Sequence, residues 1–376
     1  MLPNVSHREL IMQCQPLGSS GLRIPRVVFG TSCLGNLYEI YPDDTKLALA
    51  RQWFGFGSHA PLIDTAGKYG AGLALETIGR ALRELGVSPD RILISNKLGW
   101  KRVPLNTPEP TFEPGVWAGI EHDAVQCISY RGILECWEQG CELLGAPYRA
   151  KLLSVHDPDD YLSSATSALE RDRRLDDIRG AYQALAELKQ RGEAVAIGVG
   201  AKDWRVIQEI DAPVQLDWVM LANSLTILRH PPELIDFIRS LHARGIAVVN
   251  SAVFHAGFLV GGRYFDYRPV DPQIAADGPL FDWRERFFKL CQTHRVTPAA
   301  ACIQFALSPP GVAAIAVNTS RPERIAEDVA NAHAPIPSAF WQAAKSIGLI
   351  TPEYPSSWLL QRLIVEPQRG DIVPAS

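Results

Sequence analysis

Four residues in the N-terminal half of the chain, Asp64, Tyr69, Lys97 and His156, are of the types needed to exchange a hydride with a carbonyl carbon. Such a transfer requires a proton to move at the carbonyl oxygen in the same event. A tyrosine hydroxyl, with an ordinary pKa of about 10, is poorly matched to neutral pH as a base. A neighbouring ammonium stabilises the phenolate and lowers that pKa, and a carboxylate paired with the lysine holds it in place and keeps it charged. These are the roles open to Lys97 and Asp64 beside Tyr69. A histidine next to the tyrosine can hydrogen-bond the substrate oxygen, fix its orientation or assist the proton transfer. Alone, each of the four reads as a packed tyrosine, a solvated lysine or a structural histidine, so the chemistry depends on an architecture that gathers them.

That architecture is written in an alternation of short apolar runs with longer amphipathic stretches. The runs are VVFGTS near Val27, PLIDTA near Leu62, RILISNKLG near Ile92, KLLSVHD near Leu152, AVAIGVG near Val195, QLDWVMLAN near Leu216, GIAVVNSA near Ile246 and VAAIAVN near Val312. Helical patterns such as LALETIGRALRELG and DDIRGAYQALAELKQRG lie between them, several closed by a glycine after a basic last turn. Continuous apolar strands without strict alternation suggest a parallel sheet covered on both faces. Eight such units predict an α/β fold, a closed (β/α)8 TIM barrel, preceded by an N-terminal β-hairpin (MQCQPLG, the turn SSG, then LRIP). A doubly wound nucleotide-binding sheet would need G-x-G-x-x-G after the first strand, which instead ends in FGTSCLG; GKYGAG at Gly67 and GVGAKD at Gly198 are spaced differently and carry little weight.

Asp64, Lys97 and His156 end the second, third and fourth strands, and Tyr69 follows Asp64 by five residues. All four therefore fall on the C-terminal mouth, where active sites of such barrels sit. Two long loops interrupt the repeat: about Gly99 to Tyr130 after strand 3, rich in Pro and Trp, and about Gly261 to Pro279 after strand 7. They are expected to build the substrate pocket or its lid, with a surface or subunit contact as the plainer alternative. We expect a single domain over 1–376, the barrel covering about 22–350 and a C-terminal extension 351–376 whose WLLQRLIV stretch packs on the barrel or on a partner subunit.

Composition narrows the classes further. With 41 acidic against 37 basic residues, a net charge of -4 and no long run of like charge, nucleic acid is not an expected partner. The seven cysteines are odd in number, scattered and never in a C-x-x-C pair, which points to reduced thiols and to no metal site. No basic leader and no apolar run of the roughly 18 residues that a membrane helix needs is seen, so a cytoplasmic location without membrane attachment is expected, as monomer or homo-oligomer.

The sequence resembles the aldo-keto reductases. The resemblance is carried by GTSCLG at Gly30, LIDTAGKYGAGLALETIGRAL from Leu62, SNKLG at Ser95, SVHDPDD at Ser154, AYQALAELKQRGEAVAIGVG from Ala181, FLVGG at Phe258 and TSRPERIAEDVANA near the C-terminus, so it spans nearly the whole chain. It implies a (β/α)8 barrel using NAD or NADP, with the tetrad at Asp64, Tyr69, Lys97 and His156. Within the family the chain is most similar to the branch of D-threo-aldose 1-dehydrogenase, L-fucose dehydrogenase, L-galactose dehydrogenase and pyridoxal 4-dehydrogenase, through LGSSGLRIPRVVFGTSCLGN, LDWVMLANSLTIL and NSAVFHAGFL. That likeness implies oxidation of the anomeric hydroxyl of a free sugar to a lactone.

For the cofactor, the family approaches Gly30, Thr31 and Ser32 at the first strand end, beside Asp64, and clamps the adenosine phosphate with a loop of the form P-K-S-x-x-x-x-R-I-x-E-N. Here Arg324 and Glu327 match that pattern, while its Lys is Asn318, its Ser is Thr319 and its final Asn is Asp328. Losing a cation and gaining a carboxylate near a 2'-phosphate favours NAD over NADP. The Ser-Asn pair that holds the nicotinamide carboxamide in many members is Gly200, Ala201 here, so Asn223 or Asn250 is expected to substitute, with Phe254 stacking on the ring. Trp100, Lys101, Trp204 and His255, each just beyond a strand, are the expected substrate contacts, since a sugar offers apolar faces and hydroxyls. The rival readings are a nicotinamide-binding sensor without turnover, a general aldehyde or pyridoxal reductase, and a Schiff-base barrel enzyme using Lys97.

Overall fold

A strand covered on both faces alternates between two buried environments, and in a closed barrel one is the interior and the other the helix layer. The computed structural model, which describes residues 12–57, 59–211, 214–266 and 268–360, sorts the chain in this way. Strands β1 (Cys14–Pro16) and β2 (Arg23–Pro25) form the antiparallel hairpin at the start. β3 (Val27–Gly30), β4 (Leu62–Ala66) and β5 (Leu93–Leu98) begin the parallel sheet. β6 (Trp100–Pro104) and β7 (His122–Gln126) then pair antiparallel with each other, outside the barrel. β8 (Leu152–His156), β9 (Ala196–Ala201), β10 (Trp218–Ala222) and β11 (Ala247–Ser251) continue the sheet. After the two-residue strands β12 (Tyr264–Phe265) and β13 (Arg268–Pro269), β14 (Val312–Val317) pairs with both β11 and β3 and closes an eight-stranded barrel in chain order.

The eight expected strands are the eight observed. The segment after strand 3 is more ordered than its Pro- and Trp-rich composition suggests, because its two ends zip together as β6 and β7 and leave only residues 105–121 to loop. Trp358 and Leu359 of the C-terminal extension are buried against the outer core, Leu360 is exposed, and residues 361–365 of WLLQRLIV lie outside the described residues.

The core divides accordingly. Val27, Phe29, Ile63, Ile94, Leu153, Val155, Ile197, Val199, Val219, Leu221 and Val248 face the helices, while Val28, Leu62, Leu152, Ala196, Trp218, Met220, Ala247 and Val249 fill the barrel. Leu17 and Ile24 of the hairpin belong to the interior cluster and plug its lower end, fully buried. Following the same parity upward, Asp64 pairs in register with Ser95, Ala66 with Lys97, and His156 with Gly200. Parity therefore aims Asp64, Lys97 and His156 into the mouth.

Gly198 marks how tightly the lower layers are filled: a Cβ there would stand 2.5 Å from the Trp218 ring and 2.6 Å from its carbonyl oxygen. Because one of those atoms is backbone, Gly198→Ala is expected to destabilise the fold by about 1–3 kcal/mol, read as a lower urea midpoint at unchanged m-value. An unchanged midpoint would show that the interior yields more than its packing indicates.

Candidate active site

The Lys97 ammonium, nearly fully buried, forms an ion pair with Asp64, also buried, and the other Asp64 oxygen accepts a 3.0 Å hydrogen bond from the Ser95 hydroxyl. Burial opposes both charges, but Asp64 and Tyr69 together outweigh it and hold the Lys97 ammonium well above its ordinary pKa. Gly200 makes room: a Cβ there would lie 2.9 Å from Lys97 Cδ. The Thr31 hydroxyl donates to the Asp64 carbonyl at 2.9 Å and ties the end of β3 to the end of β4.

Tyr69 is placed by a turn rather than by a strand. GKYGAG supplies it: Gly70, Ala71 and Gly72 all have left-handed backbone (φ 61°, 50° and 87°), and the turn passes so close to Gly35 that a Cβ on Gly35 would stand 2.6 Å from the Tyr69 carbonyl carbon. The Tyr69 ring then lies 4.8 Å from the Lys97 ammonium and edge-on to His156, ring centroids 5.8 Å apart. Lys97 does pull the hydroxyl's pKa down, as expected, but burial is the larger effect and leaves it above its ordinary value. In this state Tyr69 is a protonated phenol. Burial also pushes His156 well below its ordinary pKa, with Asp157 opposing, so the imidazole is neutral. Its Nδ1 is buried without a partner.

A second ionic chain, not foreseen from the sequence, adjoins the first. Asp157 stands 3.6 Å from His156 Nε2 and 2.7 Å from the Lys68 ammonium, which in turn pairs with Glu113 at 2.7 Å. Glu113 also accepts from the Trp117 indole at 2.8 Å, and Trp117 packs against Tyr69 with ring centroids 5.8 Å apart. Lys68 itself sits 4.7 Å over the Trp100 ring. The long loop after β5 thus reaches the catalytic turn through Glu113 and lays Trp117 along Tyr69. It is stitched to the loop after β3 as well, by Tyr38 N–H to Val116 O (2.7 Å) and by the Asn36 amide to Ala118 O (3.1 Å). Tyr38 stacks on Tyr264 of the loop after β11, at 4.8 Å and 12°. The signal for Lys68 and Asp157 was their adjacency to Tyr69 and His156; nothing local revealed Glu113 or Trp117.

The expected cofactor residues are only partly gathered. Cys33 bonds the next loop through Asn318 Oδ1 (3.5 Å) and the Thr319 carbonyl (3.2 Å), bringing Gly30, Thr31 and Ser32 beside Asn318 and Thr319. Arg324 and Glu327 are exposed on the helix Pro322–Asn331, and Asp328 is half-buried. Burial pushes the Asp328 carboxyl up to about 7 against the pull of Arg324, so it carries only part of a negative charge at neutral pH. Asn223 Oδ1 is buried at the end of β10 with no partner. Asn250, by contrast, spends its amide on the carbonyls of Leu225 (2.9 Å) and Ala306 (3.2 Å) in the wall. Phe254 is half-buried against the outer core.

Of the expected substrate contacts, Trp100 lies by the mouth and three point elsewhere. Lys101 pairs with Glu135 at 2.8 Å on the helix side of β6. Trp204 is buried against Phe237, ring centroids 5.9 Å apart. His255 is fully buried, its two ring nitrogens taken by Thr226 (2.8 Å) and Asp266 (2.6 Å). A position just past a strand does not fix which way a side chain turns, and here packing and pairing turned these three inward or outward.

A barrel that gathers a tyrosine, a lysine–carboxylate pair and a neutral histidine at its mouth is built as a carbonyl–alcohol oxidoreductase. The chain belongs to the aldo/keto reductase family, whose pattern matches residues 26–348. Members use a nicotinamide dinucleotide and act on small molecules such as sugars or aldehydes. The chain is 29% identical over 349 residues to pyridoxal 4-dehydrogenase of Microbacterium luteolum, covering 89% of this chain and 97% of that one. It is 26% identical over 349 residues to D-threo-aldose 1-dehydrogenase of a Pseudomonas species, covering 88% and 96%. Its fold matches an aldo-keto reductase of Bacillus halodurans in holo form (TM-score 0.65, 20% identity, 89% and 96% covered) and glycerol dehydrogenase of Gluconobacter oxydans (TM-score 0.62, 18% identity, 98% and 100% covered).

Removing Lys68 tests the second chain by pH. Burial raises the Asp157 carboxyl, but the charges around it, Lys68 and Lys202 among them, outweigh it and hold it well below the usual range. A depressed carboxylate stabilises the fold above its unfolded pKa of about 4 and loses that contribution as pH falls further. In Lys68→Met burial is less opposed, so the loss of about 3–5 kcal/mol typical of a broken buried pair is expected at pH 7. The gap to wild type, measured by urea unfolding, narrows as acid protonates Asp157. A gap that stays constant as the pH is taken from about 4 to about 2 would dissociate Lys68 from Asp157.

Proposed function

We propose that the chain is an NAD(P)-dependent aldose 1-dehydrogenase, oxidising the anomeric C1 hydroxyl of a free sugar to the lactone. The observation that carries this reading is the Tyr69 ring packed against both the Asp64-paired Lys97 ammonium and neutral His156. Similarity to dehydrogenases of pyridoxal and of D-threo-aldose supports it. A nicotinamide dinucleotide held at the mouth would supply the acceptor for the hydride from C1. For this chain's own residues, the work begins with loss of the Tyr69 proton to solvent; the phenolate, stabilised by Lys97, which Asp64 keeps charged and aimed, then receives the hydroxyl proton as the carbonyl forms. In the reverse direction the protonated Tyr69 is the acid. His156, uncharged, hydrogen-bonds the same oxygen and fixes its position. Lys68 and Asp157 act through His156 as positioning residues, and Trp100 and Trp117 form the aromatic wall for the sugar's apolar face.

The mouth suits the cofactor at two points. A buried acceptor without a partner costs about 1–3 kcal/mol, and a carboxamide NH2 would satisfy Asn223 Oδ1. Asn318 and Thr319 with Arg324 form the adenosine side. Since Asp328 is about half neutral near pH 7, the missing lysine at Asn318 remains the stronger argument for NAD over NADP. A pyridoxal-type aldehyde is the second reading, on the 29% identity to pyridoxal 4-dehydrogenase.

The test is to incubate the protein with NAD or NADP and a panel of free aldoses and pyridoxal, following reduced nicotinamide by absorbance. Turnover with at least one aldose is expected, and Tyr69→Phe is expected to abolish it while coenzyme affinity is kept. Tight coenzyme binding with no turnover on any substrate would favour a sensor role, and unchanged turnover in Tyr69→Phe would remove that residue from proton transfer. Separately, Asn318→Lys should raise affinity for reduced NADP relative to reduced NAD on the order of tenfold, about 1.4 kcal/mol, by fluorescence titration. An unaltered ratio would take this loop out of coenzyme choice.

A further inference from the structure

Cys127 and Cys136 take no part in the chemistry above, yet their sulfurs lie in contact, 3.4 Å apart. Cys127 follows β7 and its N–H donates to the Gly99 carbonyl at 2.8 Å; Cys136 lies on the helix Tyr130–Leu144, its thiol also bonded to the Gly99 backbone. Gly99 is the joint between β5, which carries Lys97, and β6, which carries Trp100. The two thiols are unlike: Cys127 is half-buried and Cys136 buried. The hydrogen bond from Cys136, with Lys101 nearby, holds the Cys127 thiol below its ordinary pKa, and the same contact together with burial pushes Cys136 up. Burial raises the other five thiols, Cys14, Cys33, Cys141, Cys291 and Cys302. Reactivity follows thiolate character and access, so Cys127 is the nucleophile of the set and Cys136 its resolving partner.

We propose that Cys127 and Cys136 form a hydroperoxide-reactive dithiol site that closes reversibly to a disulfide. The Cys127 thiolate attacks the O–O bond of a hydroperoxide, leaving Cys127 as sulfenic acid and releasing water or an alcohol. The Cys136 sulfur then attacks the Cys127 sulfur, an S–S bond forms, and the sulfenic oxygen leaves as water with the Cys136 proton. The two thiols lose two protons and two electrons, and the peroxide takes both. From 3.4 Å the sulfurs must close by about 1.4 Å to reach a disulfide bond length. A dithiol reductant reverses the step.

Arg131 lies between the two cysteines, so trypsin puts them on separate peptides, one ending at Arg131 and one spanning Gly132 to Arg149. After treatment of the full chain with hydrogen peroxide, mass spectrometry is expected to find the intact, unalkylated chain lighter by two hydrogen atoms and, after alkylation and digestion, these two peptides linked. The link should be reversed by dithiothreitol, kept in Cys141→Ser, and lost in Cys127→Ser and in Cys136→Ser. Unoxidised protein should also take up one phenylarsine oxide, which bridges neighbouring thiols, in wild type and none in either of those two variants. Absence of the linked peptide, linkage through Cys141 or between chains, or no arsenical adduct in wild type would overturn the proposal.

Discussion

The mouth of the barrel is organised around one buried ion pair, Asp64 with Lys97. Burying a charge alone costs several kcal/mol even after relaxation, and pairing offsets that only when the remaining donors and acceptors are also met. Here they are: Ser95 completes Asp64, and the Tyr69 hydroxyl lies beside the ammonium. The surroundings conform to the pair. Gly200 stays small because Lys97 Cδ occupies the space a side chain would need, and Thr31 fixes the Asp64 backbone from the neighbouring strand. Replacing either partner by an apolar residue would leave the other charge uncompensated, which is why the pair constrains every residue that touches it.

Two ion pairs, Asp64–Lys97 and Asp157–Lys68, flank Tyr69 and His156, and each pair is neutral as a unit. A neutral pair projects a short-range dipolar field, so what Tyr69 and His156 experience depends on which end of each pair is nearer. For Tyr69 the nearer end is the ammonium, and it pulls against burial without overcoming it. For His156 burial dominates outright. The resting site therefore holds a protonated phenol beside a neutral imidazole, an arrangement able to donate a proton immediately and to accept one only when the phenolate is further stabilised.

Much of this was legible because Asp64, Lys97 and His156 end successive strands, which puts them on the C-terminal mouth. The structure adds that strand parity turns all three inward. Tyr69 was legible as a residue type, but its position depends on the GKYGAG turn, whose meaning lies in left-handed backbone and in the close passage of Gly35, neither of which a spacing pattern expresses. Lys68–Asp157 joins residues 89 positions apart, and the Glu113 link runs through a loop without periodicity. No local signal encodes such a contact. The same limit misdirected the expectations for Lys101, Trp204 and His255: beyond the last strand residue alternation ends, and Glu135, Phe237 and the Thr226–Asp266 pair decided where those side chains went.

The loop after β5 consequently does more than shape a pocket wall. Glu113 holds Trp117 by one oxygen and Lys68 by the other, and Lys68 holds the Asp157 that stands beside His156. A change in the aromatic wall is therefore transmitted along charged contacts to the imidazole, whereas a change on the outer face of β6, where Lys101 meets Glu135, has no such route. In the proposed reading, the aromatic wall and the imidazole are thus joined through Glu113, and a loop change that removes its carboxylate leaves Lys68 with Asp157 alone.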